Sequence, residues 1–94
     1  MVIGIATVEL YIPGNGSLKG KRSVVKSLVA KLRREYNLAA AEVDANDMWQ
    51  RAVLGLATVS NSDQQAHRVL MQAIRAMERW RLDAEVVDYQ IEML

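Results

Sequence analysis

The chain has 94 residues, 51% of them hydrophobic and 24% charged, and its formal net charge at pH 7 is +1. This length and composition predict one folded domain over residues 1–94 and exclude a disordered chain. The chain has no cysteine and a single histidine, His67. Disulfides, CxxC redox sites and thiolate or His-rich metal cages are therefore excluded, and a Ser-His-Asp centre is not indicated.

No apolar run approaches the roughly 18 residues that a membrane-spanning helix needs. The apolar start of the chain, Val2–Ala6, is short, lacks a basic flank and is followed by Thr7 and Glu9, unlike a signal peptide. We therefore expect a soluble, cytoplasmic protein with no membrane partner.

The first two predicted elements are a strand and a helix. Val2–Ile12 alternates with a period of two and is rich in β-branched residues, which favours a strand that ends at Pro13. In Ser17–Tyr36 apolar residues recur at helical spacing. We predict Ser17 as the N-cap of this helix and Asn37 as the left-handed residue that closes it.

The middle of the chain predicts a hairpin. In Leu38–Ala45 residues of different polarity alternate between two faces, which favours a strand, although Ala39–Ala41 would also suit a helix. The alternation is clearer in Trp49–Ser60. The short turn at Asn46-Asp47 between these two runs is typical of paired antiparallel strands.

The last two predicted elements are a helix and a strand. Asn61–Arg81 carries a continuous apolar stripe at helical spacing, and Ser62 and Gln65 have the spacing of a capping box. Asp83–Met93 alternates again. The resulting order, β-α-β-β-α-β, is that of a ferredoxin-like α+β fold, in which one four-stranded antiparallel sheet carries both helices on one face.

Alternation also predicts which side chains the two helices leave uncovered. Leu54 and Leu56 suit the helix-covered face of the sheet, together with Val8 and Leu10 of the first strand. The opposite face then carries further apolar side chains, and we predict an interface formed by Ile3, Ile5, Tyr11, Val53 and Ala57. An exposed apolar face of this extent is unusual in a monomer, so the sequence predicts a homodimer that pairs through the sheet.

The small net charge hides a segregation of charge along the chain. Ser17–Tyr36 holds seven Lys and Arg against one Glu, whereas Asp83–Leu94 holds four acidic residues and no basic one. The first helix also begins with Lys-Gly-Lys-Arg, where a loop entering a helix can hold a phosphate. We predict an anion or RNA surface formed by Lys19, Lys21, Arg22, Lys26, Arg33 and Arg34. The alternative is an ordinary solvated helix face.

Three acidic residues of the predicted hairpin are candidates for a metal or catalytic site. Glu42, Asp44 and Asp47 could bind a hard cation or act as general acid and base. Their spacing matches no known metal loop, and a surface salt bridge to Arg51 is the commoner arrangement. We therefore predict no metal, no cofactor and no catalytic residue.

The aromatic residues are few, and Trp49 follows the hairpin turn. Trp49 is expected to cover the edge of the core or an interface, or else to stack on a nucleobase. The third predicted strand has no aromatic residue and the first offers only Tyr11, so an RNA-binding sheet of the RRM type is not expected.

Four segments of the chain form an ordered set of motifs: Ser17–Leu28 (SLKGKRSVVKSL), Ala41–Asp44 (AEVD), Asp47–Ala52 (DMWQRA) and Val59–Asn61 (VSN). Together these motifs resemble the YlxP-like family, small bacterial proteins classed as a domain of unknown function. The resemblance implies a ferredoxin-like fold and no established activity. Relatives are often encoded near transcription-termination, translation-initiation and ribosome-maturation factors, which points to an RNA or ribosome role. The chain differs from the pattern at Gly20, where an acidic or polar residue is typical.

These observations together favour a non-enzymatic binding protein that acts on RNA or a ribonucleoprotein through a basic helical surface. The alternative is a small oligomeric regulatory module that binds a protein or a small ligand. An enzyme that uses the hairpin carboxylates is the weakest hypothesis.

Overall fold

The computed structural model describes residues 1–14, 16–80 and 83–94. Six elements follow one another in the predicted order: β1 (Val2–Tyr11), α1 (Leu18–Glu35), β2 (Ala39–Asp44), β3 (Arg51–Ser60), α2 (Asp63–Arg79) and β4 (Glu85–Met93). Each predicted boundary lies within two residues of the observed one, and Arg81, the predicted end of the second helix, lies outside the described residues. No helix in these three ranges is long and apolar enough to cross a membrane.

The four strands form one antiparallel sheet in the order β2-β3-β1-β4, which confirms the predicted ferredoxin-like topology. The central pair, β1 and β3, is in register along its whole length, from Val2 opposite Ser60 to Tyr11 opposite Arg51. The two outer strands are irregular. β2 has a register shift between Glu42 and Asp44, and β4 has one where it pairs with Glu9 and Leu10.

The hydrophobic core lies between the sheet and the two helices. On the sheet side it contains Val8 and Leu10 of β1 and Leu54 and Leu56 of β3, as alternation predicts. The helices contribute their apolar stripes, which are formed by Val25, Leu28, Val29, Leu32, Leu70, Ala73, Ile74 and Met77. Both helices therefore cover the same face of the sheet, and the other face carries no element of the described chain.

Both predicted N-caps are present. The Ser17 hydroxyl accepts a hydrogen bond from the Gly20 amide at 3.0 Å, and the Ser62 hydroxyl accepts one from the Gln65 amide at 3.3 Å. The second half of the predicted capping box is wrong, because the Gln65 side chain accepts from Arg68 at 3.2 Å instead of reaching back to the cap.

The predicted end of the first helix is also wrong. α1 closes at Tyr36, which is extended with φ −131°, and Asn37 does not adopt the left-handed conformation. Among described residues other than glycine, only Ala45 has a positive φ, of 61°. The left-handed residue therefore lies in the β2–β3 hairpin and not at the end of the helix.

Candidate nucleic-acid interface

Lys21 lies in the first turn of α1, where its side chain is fully buried, with 0% exposed. Its Nζ lies 2.8 Å from Glu42 Oε2 and donates to the Ala45 carbonyl at 2.6 Å. Glu42 Oε2 is buried and has no hydrogen bond of good geometry with the described residues, so the ion contact is its compensation. This placement corrects the prediction that Lys21 contacts an anion, because its charge is neutralised inside the protein.

The sequence holds a signal for this burial. Lys21 precedes Val25, Leu28 and Leu32 at intervals of four, seven and eleven residues, which places it on the buried stripe of α1. On β2, Glu42 is two residues from the buried Ala40 and therefore points to the same side of the sheet. A lysine on a core stripe and a glutamate on an inward strand position together indicate a buried ion pair.

The remaining basic residues of the helices form an exposed layer that we call the basic helical surface. On α1 and α2 six exposed Lys and Arg side chains form neither an ion pair nor a hydrogen bond with the described residues: Lys19, Arg22, Lys26, Arg34, Arg75 and Arg79. α1 contains one acidic residue, Glu35, whose carboxylate lies 4.0 Å from Lys31. The exposed cations of α1 are therefore not neutralised by carboxylates of the same helix.

Arg33 borders this surface but is already engaged. Its Nε and Nη2 donate to the Ala40 carbonyl at 3.1 and 2.6 Å. β2 is an outer strand of the sheet, so Arg33 covers a carbonyl at an edge that would otherwise face solvent. Only the guanidinium N–H groups that do not bond to Ala40 remain for the anion contact predicted for Arg33.

The three hairpin carboxylates do not form a common site. Glu42 faces Lys21, and Asp44 Oδ1 accepts from the adjacent Ala45 amide at 2.7 Å. The described residues contain no group of three or more His, Cys, Asp or Glu side chains placed to hold a metal ion. The predicted bridge from Arg51 to this hairpin is wrong, because Arg51 pairs with Glu9 at 2.6 Å across the central strands.

An aromatic pocket lies at the end of the molecule where β1 and the hairpin loop meet. Its cavity volume is about 580 Å³, and it is lined by Tyr11, Gly16, Met48, Trp49, Gln50 and Arg51. Trp49 is 55% exposed, so in this chain it does not cover the core edge. The Ile12 amide donates to the Gln50 carbonyl at 2.9 Å, which fixes the hairpin to the end of β1.

The face of the sheet opposite the helices, which we call the open face, carries most of the predicted interface residues. Ile3, Ile5 and Ala57 lie there and are partly exposed. Val53 lies there too but is only 5% exposed, so it has little area left to bury against a partner. Tyr11 lies at the end of this face and belongs to the aromatic pocket. Two further valines of the open face are largely exposed: Val59, which alternation also places there, and Val43, which the sequence analysis did not assign to this face.

The comparisons with known proteins agree with this fold and indicate no activity. A solution NMR structure of a de novo designed protein with a ferredoxin fold superposes with a TM-score of 0.58 at 12% identity, and the match covers 100% of this chain and 84% of the designed one. The chain is 36% identical over 73 residues to the uncharacterized protein YlxP of Bacillus subtilis (strain 168), which covers 78% of this chain and 79% of that protein.

The match to a family model spans nearly the whole domain. Residues 3–91 match the family described as "Protein of unknown function (DUF503)". That range contains all six elements apart from the first residue of β1 and the last two of β4, and it includes both the basic helical surface and the aromatic pocket. Together with the similarity to YlxP, this match shows that the chain belongs to the DUF503 family of proteins of unknown function.

Proposed function

We propose that this protein binds RNA through the basic helical surface. The observation that carries the proposal is the set of six exposed Lys and Arg side chains on α1 and α2 that form neither an ion pair nor a hydrogen bond with the described residues. Helical cations are commonly balanced by Glu or Asp one turn away, but α1 has seven cations and one glutamate. A polyanion would relieve their mutual repulsion and release its own counterions.

The charge of the rest of the molecule supports the same assignment. β4 carries Glu85, Asp88 and Glu92 without a basic residue. The protein therefore has a basic layer and an acidic edge despite its small net charge, and such a field attracts and orients a polyanion.

RNA fits the shape of this surface better than duplex DNA does. The exposed cations are spread over two helices that pack on the same face of the sheet, whereas the common DNA-binding motifs place one recognition helix in the major groove. A flat basic layer suits the phosphates and unpaired segments of RNA, which proteins recognise by shape and by contacts to single strands.

Binding of a fluorescently labelled RNA hairpin, measured by anisotropy over a range of salt concentrations, tests the proposal. The triple variant Arg22→Gln, Lys26→Gln, Arg34→Gln is expected to bind at least ten times more weakly near 0.1 M salt. Its plot of log affinity against log salt should be shallower by about 2 to 3, since each lost phosphate contact contributes roughly 0.7–0.9.

The matched control neutralises three charges of the opposite sign on the acidic edge. The variant Glu85→Gln, Asp88→Asn, Glu92→Gln should keep the salt slope of the unmodified protein. Equal affinities and slopes for the helix variant and the unmodified protein would refute the proposal. A gain in affinity of the acidic-edge variant as large as the loss in the helix variant would also refute it, because it would indicate a response to net charge alone.

A second candidate function, self-association, is favoured by the open face. We propose that two copies pair through it. Strands are spaced about 4.8 Å apart and rise about 3.3 Å per residue, so a four-stranded sheet with two ten-residue central strands presents roughly 600 Å². Two such faces would bury about 1,200 Å² in total, which reaches the lower limit for stable interfaces.

The composition of the open face fits a second copy of the same chain. Its middle is apolar at Ile5, Ala57 and Val43, and the Val43 side chain lies over Gly55, where a Cβ atom would come within 2.9 Å of it. Two such faces can pack against each other about a two-fold axis. The acidic side chains of β4 lie along one edge and would remain at the rim. Pairing of this kind leaves the basic helical surfaces of both copies facing outward. The mass of the protein in solution at micromolar concentration tests this pairing, since a dimer has twice the 10.5 kDa mass of one chain.

A further inference from the structure

We propose that the aromatic pocket binds an unpaired nucleobase of the RNA that contacts the basic helical surface. This inference rests on the proposed function and adds to it, because it assigns the ligand class as single-stranded RNA. Its basis is the aromatic pocket itself, which gathers large exposed apolar side chains at one end of the molecule.

The pocket has the size and chemistry of a site for a planar ring. Its volume of about 580 Å³ lies within the range of small-molecule pockets, about 300–1,000 Å³. Trp49, Met48 and Tyr11 are 55%, 47% and 41% exposed. Aromatic side chains stack on any base because every base has a π face. Gln50 and Arg51 also line the pocket and supply hydrogen-bonding groups for the base edge.

The position of the pocket relative to α1 gives the base a route to it. Gly16 lies in the pocket wall and directly precedes Ser17, the N-cap of α1. The hydrogen bond from Lys21 to the Ala45 carbonyl ties the first turn of α1 to the hairpin that carries Trp49. Lys19 and Arg22 are exposed near the start of the same helix. An RNA strand whose phosphates contact these cations therefore passes beside the pocket.

This placement predicts a preference between two forms of RNA. A base in a duplex is stacked on its neighbours and cannot enter the pocket, whereas a base in a single strand can. The basic helical surface contacts the phosphates of either form. Trp49 should therefore contribute to binding of single-stranded RNA and not to binding of duplex RNA.

The chain has two tryptophans, so each can be observed alone. The variant Trp80→Phe leaves Trp49 as the sole tryptophan, and its fluorescence is expected to fall strongly on titration with a short oligouridylate. The variant Trp49→Phe leaves Trp80, which is half-buried with Lys31 Nζ 4.4 Å from its ring centroid, and its fluorescence should change little.

Affinity provides the second readout. Trp49→Ala is expected to weaken binding of the oligouridylate about tenfold, in line with the loss of one stacked base. Its affinity for a duplex RNA of the same length should stay within about twofold, because phosphate contacts are unchanged. Trp49 lies in an exposed loop, and circular dichroism of the variant checks that the fold is retained.

The outcomes of these experiments distinguish failure of base binding at the pocket from failure of RNA binding at the basic helical surface. If the oligouridylate binds with the expected salt dependence but neither Trp49 fluorescence nor Trp49→Ala affinity changes, the pocket is not a base site and the basic surface still binds RNA. If neither RNA binds, both proposals fall. If Trp49 fluorescence depends on protein concentration in the absence of RNA, the pocket is a protein contact and the inference is overturned.

Discussion

At the scale of single residues, the buried Lys21–Glu42 ion pair links two elements that are distant in the sequence. It joins the first turn of α1 to β2, and the same ammonium group holds the carbonyl of Ala45, the left-handed residue of the hairpin. Burying two charges is costly, and attraction between them offsets the cost only while both partners are present. The pair therefore fixes the hairpin, and with it Trp49, relative to the basic end of α1.

Removal of one partner should expose this dependence. Lys21→Met is expected to lower the free energy of unfolding by about 3 kcal/mol, because it leaves the Glu42 carboxylate largely buried and unpaired. Urea denaturation measures the change. The double variant Lys21→Met, Glu42→Leu should recover most of the loss, since it removes both charges.

The matched control is Lys26→Met, which removes an exposed lysine of the same helix and should change stability by less than about 0.5 kcal/mol. A Lys21→Met protein as stable as this control would show that the buried pair is not needed for folding. A double variant as unstable as Lys21→Met would show that the effect is lost packing and not unpaired charge.

At the scale of elements, α2 and β1 pack unusually closely at Gly4. A Cβ atom at this position would lie 3.1 Å from Leu70 Cδ1, 3.2 Å from the Ala66 Cβ and 3.2 Å from Met93 Cε. The absence of a side chain at Gly4 therefore lets the first half of α2 approach the start of β1, and the end of β4 packs into the same place.

Gly4→Ala is expected to destabilise the protein by about 1–3 kcal/mol, since the added methyl group overpacks this contact. Gly16→Ala is the control, because a Cβ there meets nothing within 4 Å and should leave stability nearly unchanged. Thermal unfolding of both variants measures the difference. Equal melting temperatures would mean that α2 shifts away from β1 at no cost.

At the scale of the whole molecule, three surfaces divide the protein. The basic helical surface covers one side, the open face lies on the opposite side, and the aromatic pocket lies at one end. The centre of the proposed dimer contact, near Ile5, is six residues along β1 from Tyr11, or roughly 20 Å. Pairing at the centre of the open face and base binding at the pocket are therefore compatible.

Ile5→Lys is expected to dissociate the proposed dimer, because it places a charge at the centre of a face that would be dry in the pair. Sedimentation equilibrium at micromolar concentration measures the mass, and circular dichroism should show unchanged helical content. Arg75→Glu, on the basic helical surface, is the control and should leave the dimer intact.

Two outcomes would contradict this assignment. A monomer of the unmodified protein at micromolar concentration would mean that the open face does not pair. Dissociation by Arg75→Glu but not by Ile5→Lys would place the contact on the helices.

The order of elements, both helix N-caps and the charge excess of α1 could all be predicted from the sequence alone. Each depends on local properties: a period of two or of 3.6 residues, a hydroxyl three residues before the amide that it accepts from, or the charges within one helix. The same local patterns place Lys21 on the buried stripe of α1 and Glu42 on an inward position of β2, so the burial of both was open to prediction from the sequence.

Contacts between residues far apart in the chain depend on the tertiary structure. Lys21 bonds to a carbonyl 24 residues along the chain, and Arg51 pairs with Glu9, 42 residues away, and not with the nearer hairpin acids. The left-handed residue is Ala45 and not Asn37, because the hairpin must turn there to bring β2 onto β3. Strand register and helix placement determine these pairs, and the periodicity of a single segment predicts neither of them.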